Sequence, residues 1–390
     1  MANDRMRLHR LSSRTKVHSR SLLVVLTLLV VIVVTLAHAA STPPVTAPRI
    51  IAMVPLPNTM PPPTSDLSVD QVLNIVYVGG GNPAAQPVVV LNGLDFTTTQ
   101  PGPVGQGVGI NPVNDQWWAP TVHGDSVNVF VGNTDSQVTT IPTGSSCPIA
   151  AVYDFKFSRM WVGAQCTDAV FAYNAMTFQQ EGPTIPAGGV FGALLVNSND
   201  GIVYVCAVPP GAGCGNTVPQ RVDPVTFSPS TSSLPNFPGA VDAFRNLIYG
   251  ITNTATATCP QTPSSSLYIA NGGSRVKPEM VEKTISLPFN AQGPMDLNNA
   301  VEHLYIGSCT SQNGTDTWGI DIRNSISGAK IFDLPLGPTV TGIKAIAADP
   351  LRGRIYVQLV TTTGPFVYVI DDVSTVAVGG AGSNGVSKGH

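Results

Sequence analysis

The chain reads as an all-β protein, a seven-bladed β-propeller, and three observations lead there. An Asp or Asn stands seven residues before an aromatic at Asp70/Tyr77, Asp154/Trp161, Asn197/Tyr204, Asp242/Tyr249, Asn298/Tyr305 and Asp349/Tyr356. Each aromatic is embedded in a short apolar run such as Ile75-Val76-Tyr77-Val78 or Ile202-Val203-Tyr204-Val205, with the β-branched and aromatic composition of a strand. Of 390 residues, 38 are Gly and 34 Pro while only 11% are charged, which suits many short strands joined by tight turns and leaves no long amphipathic helix.

Taken in order, the elements begin with a targeting segment. Residues 1–20 hold six Lys or Arg against the single Asp4 and lead into the apolar run 22–36. Ala37-His38-Ala39 then offers a small-x-small cleavage site, so 1–39 is read as a signal peptide; the alternative is an uncleaved signal anchor, because the run approaches the length that spans a bilayer. Both readings place the bulk of the chain outside the cytoplasm, secreted or membrane-anchored. Beyond residue 40 there are 14 Lys or Arg against 22 Asp or Glu, net −8, and this acidic balance argues against nucleic acid as a partner.

The stretch 50–57, Ile-Ile-Ala-Met-Val-Pro-Leu-Pro, precedes the first repeat yet resembles an outer strand. The last repeat has strands near 345–348, 354–360 and 366–370 and lacks a Pro-marked outer strand. Pairing the N-terminal strand with the last blade would close the ring and remove exposed edges. The propeller is therefore bounded at 49–373, with the Pro-rich stretch 60–65 near its start and a Gly- and Ser-rich tail at 374–390, both expected to be flexible.

Turn chemistry explains the acid column. An Asx side chain accepts the N–H two residues on and so starts the hairpin between the first two strands of a blade. The same side chain recurs blade after blade, which favours structure over catalysis. A second Asx column, at Asn92, Asn174, Asp223 and Asp371, marks the hairpin into the last strand. A third column pairs an aliphatic residue with Pro, as at Ile141-Pro142 and Leu334-Pro335, and fits the outer edge, where a missing N–H is tolerated.

A seventh apolar strand, Val127-Asn128-Val129-Phe130-Val131, has His123 in place of the Asx. With Phe130 included, the aromatics are spaced by 53, 31, 43, 45, 56 and 51 residues. Blade two is the irregular member, and a six-bladed ring stands as the alternative.

At Arg354-Ile-Tyr-Val357 followed by Val367-Tyr-Val-Ile-Asp371 the chain resembles the YVTN family of β-propeller repeats. The resemblance covers most of residues 66–372 and departs in blade two. It implies a secreted or surface-exposed propeller and carries no shared catalytic motif.

All six cysteines lie past the targeting segment, an even number for an oxidising compartment. Six cysteines allow 15 pairings; sequence proximity selects Cys147 with Cys166, Cys206 with Cys214, and Cys259 with Cys309. No CxxC spacing, P-loop, Gly-x-Ser-x-Gly or His-Glu-x-x-His motif is present, so no metal or other cofactor is expected. The candidate ligand-binding residues are Trp117 and Trp118, whose adjacent indoles would expose a stacking face, and His123, which breaks the column. Packing between blades is the rival role for the indoles, and a solvated edge is the expected setting of His303. Asn313-Gly-Thr315 is a glycosylation sequon expected in a long exposed loop of blade six.

Function is read as a secreted or surface-exposed scaffold that binds an extracellular protein or glycan. The alternative is a metal-dependent hydrolase or lactonase with its site in the central channel; the few Glu residues, Glu181, Glu279, Glu282 and Glu302, give it little material.

Overall fold

The computed structural model describes residues 47–57, 66–80, 87–100, 105–121, 124–144, 146–188, 193–206, 214, 217–253, 259–260 and 262–372. The targeting segment, the Pro-rich stretch 60–65, the tail from 373 and His123 lie outside them. Among the described residues no helix is long and apolar enough to cross a membrane.

Seven four-stranded antiparallel sheets follow one another along the chain. Their first strands are Leu67–Asp70, Gly109–Asn111, Pro148–Asp154, Leu194–Asn197, Pro238–Asp242, Asn290–Asn298 and Val340–Asp349. These touch in cyclic order, the last against the first, and so enclose a central channel. The seventh sheet is completed by Arg49–Pro55, which pairs antiparallel with Gly364–Asp371 from Arg49 opposite Asp371 to Pro55 opposite Phe366. The N-terminal strand thus closes the ring as expected, and the six-bladed alternative is excluded.

The Asx turn is present in every blade. Its side-chain Oδ1 accepts the N–H two residues on at 2.9 to 3.2 Å, from Asp70, Asn111, Asp154, Asn197, Asp242, Asn298 and Asp349. All seven side chains are buried. Each of these residues also pairs across the hairpin with the residue five positions on, as Asp70 does with Ile75 and Asn111 with Gln116.

Asn111 corrects the reading of blade two. The second strand is Gln116–Thr121, its column aromatic is Trp118, and Phe130 lies on the third strand, Ser126–Val131. The column then reads 77, 118, 161, 204, 249, 305 and 356, and the short spacing of blade two disappears. Gln116–Thr121 contains Pro120 and no Val or Ile, whereas Val127–Val131 has the stronger strand composition.

Register places each column aromatic against the next blade. The Tyr77 hydroxyl donates to the Gly132 carbonyl at 3.4 Å, Trp118 packs on Phe178 with centroids 5.7 Å apart, and Trp161 lies 6.1 Å from Phe227. The Tyr204 hydroxyl donates to Glu279 at 3.1 Å, and that of Tyr305 donates to Asp372. The buried apolar residues of the described chain correspondingly form seven clusters, each spanning two neighbouring blades, one of them joined also by Cys259 of blade five. Apolar burial therefore holds blade to blade, while backbone hydrogen bonds hold strands within a blade.

Strand direction divides the molecule into two faces. The Asx turns after the first and third strands leave on one, here the turn face. The loops between second and third strands and the links between blades leave on the other.

Replacing Asn111 with Ala removes the turn acceptor at a fully buried position and should lower stability by about 1–2 kcal/mol. Gln137→Ala on the exposed outer strand of the same blade should change it by less than about 0.5 kcal/mol. Urea unfolding of both variants checks this.

Candidate functional site: the channel mouth on the disulfide face

The three disulfides form as sequence proximity suggested: Cys147–Cys166, Cys206–Cys214 and Cys259–Cys309, with Cα separations of 5.3, 5.5 and 6.0 Å. All three sit on the face opposite the Asx turns. Cys166, Cys206 and Cys259 follow the second strands of blades three, four and five, Cys147 precedes the first strand of blade three, and Cys309 lies in the long second strand of blade six, His303–Gln312. Covalent restraint is thus concentrated where loops are longest.

On this face the channel opens into a cavity of about 390 Å³ lined by the first strands of blades one, four, five, six and seven. Its walls are mainly apolar, including Leu67, Leu195, Phe237, Met295 and Ile346. Three charged side chains interrupt them: Asp66, Asp296 and Lys344.

Each charge has a local origin. Asp66 Oδ1 accepts its neighbour Leu67 N–H at 2.9 Å. Asp296 accepts Leu297 N–H at 2.8 Å and, across the blade interface, Ala348 N–H at 2.7 Å. Lys344 is the extra residue of a bulge between Ile343 and Ala345, and a bulge re-aims its side chain. Among the described residues its amine makes no hydrogen bond or ion pair.

Protein surrounds these groups closely although they border the cavity. Burial pushes the carboxyls of Asp66 and Asp296 from 3.8 up to about 6, with the backbone N–H bonds opposing it. Burial likewise lowers the Lys344 ammonium. The site therefore offers two weakened acids and one unpaired amine within apolar walls.

The sequence reading names none of these three residues, although the repeat columns mark two of them, Asp66 and Asp296. Two positions before the Asx, the blades carry Ser68, Gly109, Val152, Leu195, Ala240, Asp296 and Ala347; four before it, only Asp66 is charged among Gly, Ala and Pro. The columns are complete only with Asn111 in the Asx position of the second blade.

The expected indole face is not available. Trp117 and Trp118 are both 0% exposed. Trp117 stacks on Phe130 at 4.3 Å and lies 5.1 Å from Tyr77, so both indoles fill interfaces between blades. Asn313 is exposed, but at a two-residue Asn-Gly hairpin turn with φ of 51° and 77°, rather than in a long loop.

Of the other candidate titratable groups, Glu282 is exposed on the outer strand Met280–Ser286 and the rest have structural partners. His303 is buried, its Nδ1 2.7 Å from Asp372, rather than on a solvated edge. Glu181 and Glu302 pair with Arg159 and Arg245. Glu279 is buried between blades four and five, where it meets Arg221 at 3.1 Å and accepts from Ser232 and Ser233. Burial raises its carboxyl, but the hydrogen bonds and the Arg221 charge outweigh this and hold it below the usual carboxylate range. Among the described residues no three His, Cys, Asp or Glu side chains converge as a metal site.

No family model matches the chain, and no curated protein does. Among solved structures, the β-propeller domain of Cps50 (Swd1) from Myceliophteria thermophila superposes with a TM-score of 0.58 at 7% identity, over 83% of this chain and 99% of that one. Hydrazine synthase from Kuenenia stuttgartiensis gives 0.51 at 13% identity, over 65% and 76%. At such identities the likeness shows the fold alone.

Asp66 binds its proton more tightly folded than unfolded, so stability falls as pH rises from about 4 through about 6. Asp66→Asn should remove its share of that fall while Asp296 keeps its own, raising stability by about 1–2 kcal/mol at pH 8 with little effect at pH 3. Glu279 has the opposite sign: its contribution is complete above its unfolded value and lost as pH falls through its depressed folded value. Glu279→Gln should therefore destabilise at pH 7 and flatten the acid limb. Denaturant titrations across pH measure both.

Proposed function

We propose that the propeller is a secreted or surface-exposed binding scaffold that takes an extracellular protein or glycan at the channel mouth. The observation that carries this is the concentration of all three disulfides on the face where the channel opens. Disulfides belong to oxidising compartments, and restrained loops around a concave apolar pocket with a few polar groups are the usual anatomy of a binding site. Preorganised loops lose less freedom on binding. The apolar walls favour a protein partner that inserts a side chain, with Asp66, Asp296 and Lys344 orienting it. The YVTN resemblance supports the same reading.

A second reading, hydrolysis in the channel, draws on the two acids raised to about 6, a value suited to proton transfer near neutrality.

Leu195→Trp would occupy the channel. Peptide and glycan arrays should show a ligand for the wild type whose binding falls at least about tenfold in this variant, the loss expected when a bulky group blocks a pocket, with near-ultraviolet circular dichroism checking that the fold is retained. Undiminished binding would place the ligand elsewhere. Metal analysis with a lactone and ester screen distinguishes the second reading: turnover abolished in Asp296→Asn would favour it over the scaffold.

A further inference from the structure

We propose that the turn face of the propeller docks onto a lipid bilayer. Seventeen large apolar side chains are exposed among the described residues; ten project from the turn face, six from the outer rim, and one, Val218, from the disulfide face. Single exposed apolar residues are ordinary. Ten on one face against a single one on the opposite face are not.

The Asx turns hold these side chains in place. Val72, Val113, Phe244 and Leu351 occupy the second position after the Asx of the first turn, and their N–H groups bond to it. Leu94, Met176, Val225 and Ile326 occupy the same position in the second turn, bonded likewise. Phe244 is 89% exposed and Leu94 77%. The turn itself calls for no apolar side chain at its tip, where small polar residues are usual. Eight large apolar residues at one geometric position therefore need a reason outside the turn.

Two observations select a bilayer as the occupant. The tips occur on all seven blades instead of gathering in one cluster, whereas a protein partner concentrates contact in one buried centre. A flat, deformable apolar phase meets all of them together, each tip entering the headgroup and acyl boundary. The second is connectivity. Arg49, at the start of the closing strand, lies opposite Asp371 at the end of a third strand, so the chain enters on the turn face. In the signal-anchor reading, residues 37–48 separate that entry from the apolar run 22–36, a covalent reach of at most about 43 Å.

Cations accompany some tips: Lys156, Arg245 and Arg352 directly follow Phe155, Phe244 and Leu351. Asp95, Asp115 and Asp135 on blades one and two offset them, so attachment should follow apolar area more than lipid charge or salt.

The full chain reconstituted in phosphatidylcholine vesicles with brominated acyl chains tests this through introduced tryptophans. Trp117, Trp118, Trp161 and Trp318 are buried and provide a constant background. The added emission of Phe244→Trp and of Leu94→Trp should fall at least twofold relative to unbrominated vesicles, while that of Val218→Trp on the opposite face should not change. Near-ultraviolet circular dichroism checks folding, and either tip variant decides if the other misfolds. Quenching of Val218→Trp alone would overturn the proposal. So would quenching at neither face, which would leave the tips to a protein partner.

Discussion

One hydrogen bond, from a buried Asx side chain to the backbone two residues on, sets the geometry on which the molecule depends. It fixes where the first strand ends and the second begins, so the register of every blade follows from it. The aromatic seven residues on is then delivered to the neighbouring blade, where Tyr77, Trp118, Trp161 and Tyr204 meet Gly132, Phe178, Phe227 and Glu279. A one-residue slip would turn each aromatic to the wrong side of its sheet. Seven local turns thus organise seven long-range interfaces, and the Arg49–Pro55 strand completes the last of them.

Most of this architecture was legible in the sequence because repetition amplifies weak local signals. The Asx column, the closing strand and the three disulfide pairs all follow from spacing and composition. The second blade differs from its sequence reading for a physical reason: burial by neighbouring blades stabilises Gln116–Thr121 despite its Pro and its lack of Val and Ile. Trp117 and Trp118 misled in the same way, since an indole suits a stacking face and a blade interface equally well until burial is known. The channel charges were hidden for another reason. Asp66, Asp296 and Lys344 are far apart in sequence and converge only when the ring closes, and Lys344 further depends on a bulge that strand patterning does not reveal.

The two faces divide the work between them. On one, tight turns leave little room for variation and present a rigid array of tips. On the other, longer loops between second and third strands, held by Cys147–Cys166, Cys206–Cys214 and Cys259–Cys309, surround the channel mouth. A bilayer on the turn face would leave the channel mouth directed away from it, free to meet a soluble or cell-surface partner. The arrangement follows from strand direction: an antiparallel four-stranded blade has both its hairpins of one kind on a single side.

Amide hydrogen exchange at the seven turn positions tests the central claim most directly. The N–H groups of Val72, Val113, Lys156, Asn199, Phe244, Ala300 and Leu351 all bond to a buried Asx, so all seven should exchange slowly despite lying at surface turns. Protection of Val113 equal to that of the other six would establish the register of the second blade and the equivalence of the seven. Free exchange at Val113 beside protection elsewhere would contradict it.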